Sequence, residues 1–291
     1  NPTLNPAETY TFFNPKMGFN YMLRENKKNT QRVYASFAVA HKEPNRNDFE
    51  ASPTSLPMPE QLLNIEAGYE VKAKNWTTLA NLYLMNYKDQ LVLNGQINDV
   101  GAYTRINVPQ SYRAGLELVS SLRATKWLTL SGNLTFSQNK INNFDEYIDD
   151  YDNGGQKVVA HSNTNIAFSP NVIAAADLGF KPFLQSSYAA LRTLECNILG
   201  KHVGRQYLDN TSDKNRSITD YTLMDLRASY ELPIKKHSTL VFTFAVYNML
   251  NKQYENNGYN FNYISGGATS VNNYYYPQAG RYFLAGINFK F

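Results

Sequence analysis

The stretch YPQAGRYFLAGINFKF, residues 276–291, decides the fold class of this chain. From Phe283 onward every second residue is apolar, and the intervening residues are Leu284, Gly286, Asn288 and Lys290. A period of two is typical of a β-strand with one apolar face. In water an apolar strand at a chain end is an aggregation hazard. This ending therefore favours a strand whose apolar face lies in a membrane.

The composition fits a membrane β-barrel and excludes several other classes of protein. Among 291 residues, 14% are aromatic, with 22 Tyr and 16 Phe, yet the mean hydropathy is only −0.47. Alternation of lipid-facing and lumen-facing residues in a barrel gives this combination. The sequence contains no run of about 18 apolar residues, which a membrane-spanning helix would need. The net charge of +4 is modest and its basic residues are scattered, which argues against nucleic-acid binding.

The single cysteine, Cys196, excludes an internal disulfide and a metal site built from several cysteines. It lies between Leu194 and Ile198 on an apolar strand face, which predicts an inert, buried thiol.

Strands with the same alternation follow one another along the chain, and no helical pattern lies between them. The clearest places Tyr112, Ala114, Leu116 and Leu118 on one face and Arg113, Gly115, Glu117 and Val119 on the other. About eleven strands are predicted, at residues 16–24, 32–41, 63–71, 76–93, 112–119, 128–136, 172–180, 188 to about 205, 224–231, 240–246 and 283–291.

The connections alternate between short turns and long loops. The long ones are predicted at residues 42–60, 93–106, 142–163, 208–217 and 251–276. Short turns on one rim and long loops on the other are typical of outer-membrane barrels, and strands of roughly 10 to 18 residues are long enough to cross a bilayer at a tilt. In lipid the backbone must satisfy its hydrogen bonds internally, so strands span only as a closed barrel. The sequence therefore predicts an all-β, antiparallel transmembrane barrel.

The odd strand count leads to an expectation about the size of the barrel. Single-chain bacterial barrels normally have an even number of strands. With the last strand ending on the periplasmic side, counting back makes the first strand run the same way. We therefore expect further strands before Asn1, so that the eleven form part of a larger barrel.

Four stretches resemble the TonB-dependent outer-membrane receptors, most closely those of Bacteroidetes. They are EPNRNDF at residues 43–49, PEQLLNIEAGYE at 59–70, YNMLNKQYE at 247–255 and the terminal YPQAGRYFLAGINFKF. The ending also resembles the signal read by the barrel-assembly machinery, with Gly286, Phe289 and Phe291 in place and Leu284 as a departure.

The resemblance implies a barrel of about 22 strands filled by an N-terminal plug, of which residues 1–291 would be the C-terminal half. It implies active import of a scarce nutrient such as a siderophore, cofactor, glycan or peptide, driven through the TonB complex. The plug and TonB box are not in this sequence. Outer-membrane lipid, the TonB complex, the barrel-assembly machinery and a surface lipoprotein are the implied partners, with no cofactor and no resident metal.

Three alternatives remain open at this stage. The chain could belong to a passive, substrate-selective porin, to an adhesion barrel, or to an outer-membrane hydrolase with a serine–histidine pair. His41 and His202 lie near the predicted outer rim, where such a pair could act, but the sequence contains neither HExxH nor GxSxG.

Charged residues on the polar faces of the predicted strands are candidates to line the lumen, the alternative being solvated wall residues. They are Glu66, Glu70, Arg113, Glu117, Asp177, Glu195, Asp225 and Arg227.

The ligand-binding candidates lie in the predicted outer loops. Aromatic side chains bury large areas at low entropic cost, so the last loop could form an aromatic ligand platform; the alternative is an interfacial girdle with loop self-packing. The candidates are Tyr259, Phe261, Tyr263, Tyr274, Tyr275, Arg46 and His161. The acidic loop at 142–163 could hold Ca²⁺, but its spacing differs from an EF-hand and favours a solvated loop.

Overall fold

The computed structural model describes residues 8–51, 56–97, 103–235 and 238–291. The predicted connections at 42–60 and 93–106, and the short turn that Pro233 to His237 suggests between two predicted strands, therefore lie partly outside the described residues. Within them the structure is almost entirely antiparallel β, as predicted.

The strands follow one another along the chain with few interruptions. They are β1 (Lys16–Glu25), β2 (Asn29–Lys42), β3 (Glu60–Ala73), β4 (Trp76–Ile97), β5 (Tyr103–Arg123), β6 (Leu128–Asp150), β7 (Gln156–Asn165), β8 (Val172–Phe180), β9 (Glu195–Val203), β10 (Gln206–Tyr207), β11 (Ser217–Ile218), β12 (Tyr221–Lys235), β13 (Ser238–Tyr247), β14 (Glu255–Ser265), β15 (Ala268–Pro277) and β16 (Tyr282–Lys290).

Helices are few and short. Helix α1 (Arg46–Ala51) lies in the β2–β3 connection, and a 3₁₀ turn (Ala189–Thr193) precedes β9. Both correct the sequence analysis, which predicted no helix there and began the eighth strand at Tyr188. No helix in the described residues is long and apolar enough to cross a membrane.

Eleven strands form one continuous path, β1-β2-β3-β4-β5-β6-β8-β9-β12-β13-β16, and these correspond to the eleven predicted strands. Strands β7, β14 and β15 join this sheet from outside the path, and β10 and β11 form a separate two-stranded sheet. Strands β1 and β16 are the two edges of the path.

The register separates an apolar face from a polar face. Directly opposed residues of an antiparallel pair point to the same side, so the pairs Ala67–Leu82, Leu82–Leu116 and Leu116–Phe136 place one apolar row across four strands. The neighbouring row, Gly68–Asn81–Glu117–Thr135, points to the opposite side. The exposed Leu82 (59%) shows that the apolar face is not covered by protein.

Most short and long connections lie at opposite ends of the strands. The β1–β2, β3–β4 and β5–β6 connections are short, whereas the β2–β3, β6–β8, β9–β12 and β13–β16 connections are long. The β8–β9 connection, residues 181–194, is an exception, because it is long, contains the 3₁₀ turn and lies at the short-turn end. The buried apolar cluster lies at the long-connection end, where β4, β5, β6 and the segment after β7 meet; its members are Val92, Val108, Ile141, Phe144 and Ile166. The main sheet, whose eleven-strand path we call the wall, therefore exposes much of its apolar surface. The packed core lies past the long-connection end of the wall.

Two predicted long loops are wrong in detail, because each contains a β-hairpin. The segment at 142–163 is the end of β6 followed by β7, and the segment at 251–276 contains β14 and β15. Paired glycines make both turns: Gly154 and Gly155 have φ of 75° and 82°, and Gly266 and Gly267 have φ of 65° and 75°. Glycine adopts this left-handed region without a steric penalty.

Candidate functional site

Three segments assemble at the long-connection end into what we call the cap: the β6–β7 hairpin, residues 204–220 and the β14–β15 hairpin. The two hairpins touch through a short parallel pairing of β14 with β6, in which Tyr263 opposes Asp149 and Ile264 opposes Asp150. The tip of one outer hairpin is thus fixed against the tip of the other.

Asp152 joins the two hairpin tips. Its carboxylate accepts hydrogen bonds from the backbone N–H groups of Gly266 and Gly267, each at 2.8 Å. The Tyr151 N–H also donates to the Ile264 carbonyl at 2.9 Å. A carboxylate held by two backbone donors is a charge-assisted contact of defined geometry.

Arg216 holds the base of the cap together. Its guanidinium is buried, donates a hydrogen bond to Glu146 on β6 and lies 3.2 Å from Asp209 Oδ2, with Asp213 Oδ2 at 3.6 Å from Nε. Burial alone would lower the pKa of Arg216, but the hydrogen bond to Glu146 and the charges of Asp209 and Glu146 raise it overall. The guanidinium therefore stays charged, and it ties the 204–220 segment to the β6–β7 hairpin.

Asp209 also contacts the β14–β15 hairpin, and Glu146 has a further partner within its own hairpin. Asn260 Nδ2 on β14 donates to Asp209 Oδ2 at 2.6 Å, and His161 Nε2 on β7 lies 2.9 Å from Glu146 Oε2. One buried network thus joins all three segments of the cap.

Asn210 links the cap to the wall through two hydrogen bonds. This fully buried side chain donates from Nδ2 to the Leu93 carbonyl on β4 at 2.5 Å and accepts at Oδ1 from the Ala167 N–H at 2.8 Å. The apolar cluster around Ile141 lies beside this contact.

The outward face of the β14–β15 hairpin carries an aromatic surface, which we define as Tyr259, Phe261, Tyr263, Tyr274 and Tyr276. The rings of Tyr259 and Tyr274 stack at 4.8 Å, and the ring centroids of Phe261 and Tyr263 lie 5.7 Å apart. Tyr274 and Tyr276 are 49% and 45% exposed. Four of the predicted ligand-binding residues are therefore brought together on one accessible surface.

The other three candidates lie elsewhere. Tyr275 points to the inner side of the hairpin, where its hydroxyl donates to the Ser217 carbonyl at 3.2 Å, and burial followed by the charge of Glu255 raises its pKa. His161 belongs to the buried network. Arg46 lies on α1, which packs against β5 through an Asp48–Arg105 ion pair of 3.2 Å.

Two acidic residues of the β6–β7 hairpin, Asp149 and Asp150, accept hydrogen bonds from other residues of the same hairpin. Asp150 accepts from the N–H groups of Asp152 and Asn153, and the side-chain hydrogen bond from Asn153 lowers its pKa. Asp149 accepts from the Gln156 amide at 2.9 Å. In the described part of the chain, no three His, Cys, Asp or Glu side chains are grouped as metal ligands.

All eight predicted lumen residues share the polar face. Register alone places them there, from Glu66 and Glu70 on β3 to Asp225 and Arg227 on β12. Several are engaged with neighbours on the same face: Glu70 with Arg32, Arg113 with Ser169 (2.8 Å), Glu117 with Asn81 (3.3 Å), Asp177 with Asn197 (3.0 Å) and Glu195 with Lys181 (3.4 Å). The guanidinium of Arg227 lies 5.5 Å from the ring centre of Tyr247.

Two concavities on the polar face include predicted lumen residues in their lining. One of about 490 Å³ includes Asp177, Lys201 and Asp225 in its lining, and another of about 340 Å³ includes Glu66, Arg113 and Glu117. Both are wide, shallow and charged, which suits contact with water or with another protein surface more than an enclosed small-molecule pocket.

Neither rim histidine forms the serine–histidine pair considered from the sequence. His41 Nδ1 lies 2.8 Å from Asn14 Oδ1, and His202 Nδ1 lies 2.9 Å from Thr222 Oγ1. Among the described residues, no serine is hydrogen-bonded to either ring.

The residues of the assembly-signal resemblance lie at the free edge of the sheet. Phe289 faces the apolar side opposite Leu240, Gly286 opposes Thr243 on the polar side, and Phe291 is 96% exposed.

The sequence analysis missed Arg216, Asp209, Asn210 and Asn260. They lie in polar loop sequence, and their partners are 43 to 117 positions away, apart from the contacts of Arg216 with Asp209 and Asp213. Local patterns carry no information about such contacts.

The Tyr259, Phe261, Tyr263 alternation followed by two glycines was a usable hairpin signal.

The family model "TonB dependent receptor-like, beta-barrel" matches residues 1–249. No curated protein sequence matches the chain. Among solved structures, the ferric yersiniabactin uptake receptor FyuA from Yersinia pestis is 16% identical with a TM-score of 0.59, covering 94% of this chain and 36% of that one. The copper transporter OprC is 18% identical with a TM-score of 0.66, covering 100% and 42%. The ferric-catecholate import receptor Fiu from E. coli K12 is 18% identical with a TM-score of 0.62, covering 95% and 34%. The chain thus spans well under half the length of these structures, and the likeness shows the fold.

Proposed function

This chain belongs to the TonB-dependent receptor β-barrel family, whose members are outer-membrane proteins, and we propose that it forms part of the wall and outer surface of a receptor that imports a scarce nutrient. The single observation that carries this is the continuous path of eleven strands with one uncovered apolar face, one charged face and the cap at its long-connection end. The apolar face suits lipid, and the charged face suits a hydrated lumen.

The full receptor closes the barrel with further strands at the edges of β1 and β16. Open strand edges expose unpaired backbone groups, which a bilayer does not tolerate. A plug inside the barrel contacts the polar face and couples import to TonB, so energy from the inner membrane drives passage of the ligand. The likeness to Bacteroidetes receptors, indicated by the four sequence stretches, is part of the same proposal.

The aromatic surface is the ligand-contacting part of the cap. Rings that already stack on one another are ordered before binding, so a ligand with flat or apolar faces gains contact area at low entropic cost. Solved relatives of this fold include ferric-siderophore and copper receptors, and a metal complex is one candidate class beside cofactors, glycans and peptides.

The proposal can be tested before the ligand is identified, by measuring which compounds the cells remove from their growth medium. Wild-type cells and cells lacking the gene are incubated in the same spent medium, with and without a protonophore, and small molecules are followed by untargeted mass spectrometry. We expect at least one compound to be removed by wild-type cells only, and the protonophore to stop its removal.

Two results would contradict the proposal. Removal that persists with the protonophore would indicate a passive porin, and chemical conversion of a compound at the cell surface would indicate an enzyme. The double variant Tyr259→Ala, Tyr274→Ala tests the role of the aromatic surface by itself. It should lower uptake of the compound while the amount of folded receptor stays unchanged.

A further inference from the structure

The short-turn end of the wall carries a row of exposed cations, which we call the basic rim. Its members lie in or next to four successive connections, β1–β2, β3–β4, β5–β6 and β8–β9. All are exposed, and none forms an ion pair with another described residue. The basic rim consists of Arg24, Lys27, Lys28, Lys74, Arg123, Lys126 and Arg192.

The carboxylates at this end do not neutralise the basic rim. Three of them already pair with other cations: Glu70 with Arg32 and Lys72, Glu195 with Lys181 at 3.4 Å, and Glu231 with Lys290 at 2.7 Å. Glu25 is exposed and forms no ion pair within the described part of the chain. The opposite end differs, because residues 142–165, 204–220 and 255–277 of the cap contain nine Asp or Glu and four Lys or Arg. The excess of positive charge therefore belongs to the short-turn end.

The basic rim lies at the periplasmic edge of the membrane. Trp76 and Trp127, beside two of the short turns, are 42% and 44% exposed, as expected for aromatic residues at a membrane interface. Tyr112, on the same face as Trp76, opposes Asn86, which is ten residues from Trp76 on β4. Ten residues at about 3.4 Å each and a tilt of about 35–45° rise about 24–28 Å, which matches an apolar band about 25 Å tall. Since short turns of outer-membrane barrels face the periplasm, the basic rim faces it too.

The placement of these cations favours a partner in the periplasm over lipid headgroups. The four lysines lie in the turns themselves and not on the apolar face of a strand, and Arg123 opposes Thr129 on the polar face. Neighbouring connections of the row are two strands apart, and strands lie about 4.8 Å apart, so the row is about 30 Å long. Such a row suits an extended polymer with many negative charges better than a single small anion.

The β8–β9 connection adds exposed aromatic rings beside the cations. Its Phe183 and Tyr188 are 46% and 73% exposed. The connection is tied to the wall, because the Thr193 hydroxyl donates a hydrogen bond to the Glu231 carbonyl of β12 at 2.6 Å. The two rings thus offer apolar faces to the periplasm, against which the C–H faces of sugar rings can pack.

Peptidoglycan, the polymer of the periplasmic cell wall, has the matching chemistry: sugar chains whose peptide branches carry free carboxylates. We propose that the basic rim binds peptidoglycan, with its cations contacting the carboxylates and with Phe183 and Tyr188 packing against the sugars. Many weak contacts along one polymer add up to a stable attachment. The inference rests on the outer-membrane location of the wall and is independent of which compound is imported.

Sedimentation of the full-length receptor, held in nanodiscs of phosphatidylcholine, tests the proposal. The receptor is titrated with three probes: intact peptidoglycan sacculi, sacculi whose carboxylates have been converted to amides, and vesicles of phosphatidylglycerol. The test variant replaces the four turn lysines: Lys27→Gln, Lys28→Gln, Lys74→Gln and Lys126→Gln. The matched control makes the same change of charge at exposed lysines of the long-connection end: Lys88→Gln, Lys157→Gln, Lys214→Gln and Lys252→Gln.

We expect the wild type and the control variant to sediment equally with intact sacculi, and the test variant to bind about sixteenfold more weakly. This follows if each exposed ion pair contributes a factor of about two in affinity. Salt at about 1 M should release the wild type, because the Debye length falls to about 3 Å.

Three results would overturn the proposal. They are equal binding of all three proteins to intact sacculi, undiminished binding of the wild type to the amidated sacculi, and a loss by the test variant that appears only with phosphatidylglycerol vesicles. The last result would identify the basic rim as a lipid contact. Heat-modifiable gel mobility checks folding; if the test variant fails to fold, Lys27→Gln with Lys28→Gln should still lose about fourfold against Lys157→Gln with Lys214→Gln.

Discussion

Arg216 shows how one residue can order a whole surface. It is a buried cation with three carboxylates around it, and one of these, Asp209, also accepts a hydrogen bond from Asn260 in the β14–β15 hairpin. A buried set of paired charges contributes little net stability relative to apolar packing. Removing one of the charges, however, leaves its partners buried without an opposite charge, which is strongly destabilising. Arg216 therefore determines whether the three segments stay in one arrangement.

Replacing Arg216 with Met should release the cap without unfolding the wall. Glu146 and Asp209 would be left buried without their cation, at a local cost of about 3–5 kcal/mol. Hydrogen exchange should accelerate in β7 and in the β14–β15 hairpin but not in β3 to β5. The matched control is Arg281→Met, since Arg281 is exposed; equal exchange in the two variants would disprove the role of Arg216.

None of these cap residues could be assigned from sequence, for a physical reason. Asp209, Asn210 and Asn260 are ordinary loop residues locally, and their burial depends on contacts made across the cap. By contrast, the eight charged wall residues followed directly from alternation, because a strand face is fixed by a period of two.

At the scale of elements, two tyrosine–glycine pairs shape the polar face of the wall. Tyr83 directly opposes Gly115, and Tyr34 opposes Gly68. A Cβ added at Gly115 would lie 2.5 Å from the Phe136 carbonyl oxygen and 2.6 Å from the Tyr83 hydroxyl. Tyrosine rings thus occupy the space that a side chain would need, which is a known device for stabilising glycine in a curved sheet.

Gly115→Ala should destabilise the wall by about 1–3 kcal/mol, because the backbone of β6 must shift to admit a methyl group. Gly200→Ala is the control, since nothing lies within 4 Å of its added Cβ. Its effect should stay within about 0.5 kcal/mol. Urea unfolding in detergent measures both, and a Gly115→Ala variant as stable as the control would show that the close contact is not needed.

Asp152→Ala should separate the two hairpin tips while the base of the cap remains. The variant loses two hydrogen bonds to an exposed carboxylate, worth about 1–3 kcal/mol together. Faster amide exchange at Gly266 and Gly267 is the expected signal, with unchanged exchange at Asn260. Asp145→Ala on the same hairpin is the control, and protection that survives in Asp152→Ala would contradict the contact.

The hairpins themselves were only partly predictable. Sequence alternation was strong in the wall, where one face is apolar. Strand β14 also alternates, with Tyr259, Phe261 and Tyr263 on one face, but β15 places consecutive tyrosines, residues 274–276, on both faces. Where neither face is apolar, alternation loses its contrast. The paired glycines at both turns were the remaining signal.

At the scale of the whole molecule, the sheet is a wall between two media. The outer-membrane location of the family and the uncovered apolar face agree. Leu82 and Leu116 lie midway between the Trp76 level and the Tyr112 level, so they mark the middle of the bilayer.

Leu82→Arg should therefore cost about 2–4 kcal/mol in a bilayer, the penalty for a charge at the midplane. Asn133→Arg, three register positions toward the short-turn end on the exposed polar face, should cost only about 0.5 kcal/mol. Equilibrium folding into vesicles measures both. Similar costs for the two variants would mean that the faces do not meet different media.

Fold class, strand count and the two faces were thus accessible from sequence, because they depend on local alternation. The cap and its residues were not, because they depend on which distant loops meet. The most direct measurement is spin-label accessibility along β5 in native outer membranes, with Cys196 replaced by alanine and single cysteines at residues 113, 114, 116, 117 and 118. Labels at Ala114, Leu116 and Leu118 should be accessible to oxygen dissolved in lipid, and labels at Arg113 and Glu117 should be shielded from it. Accessibility without a period of two, or with the opposite phase, would contradict the assignment of this sheet as the membrane wall.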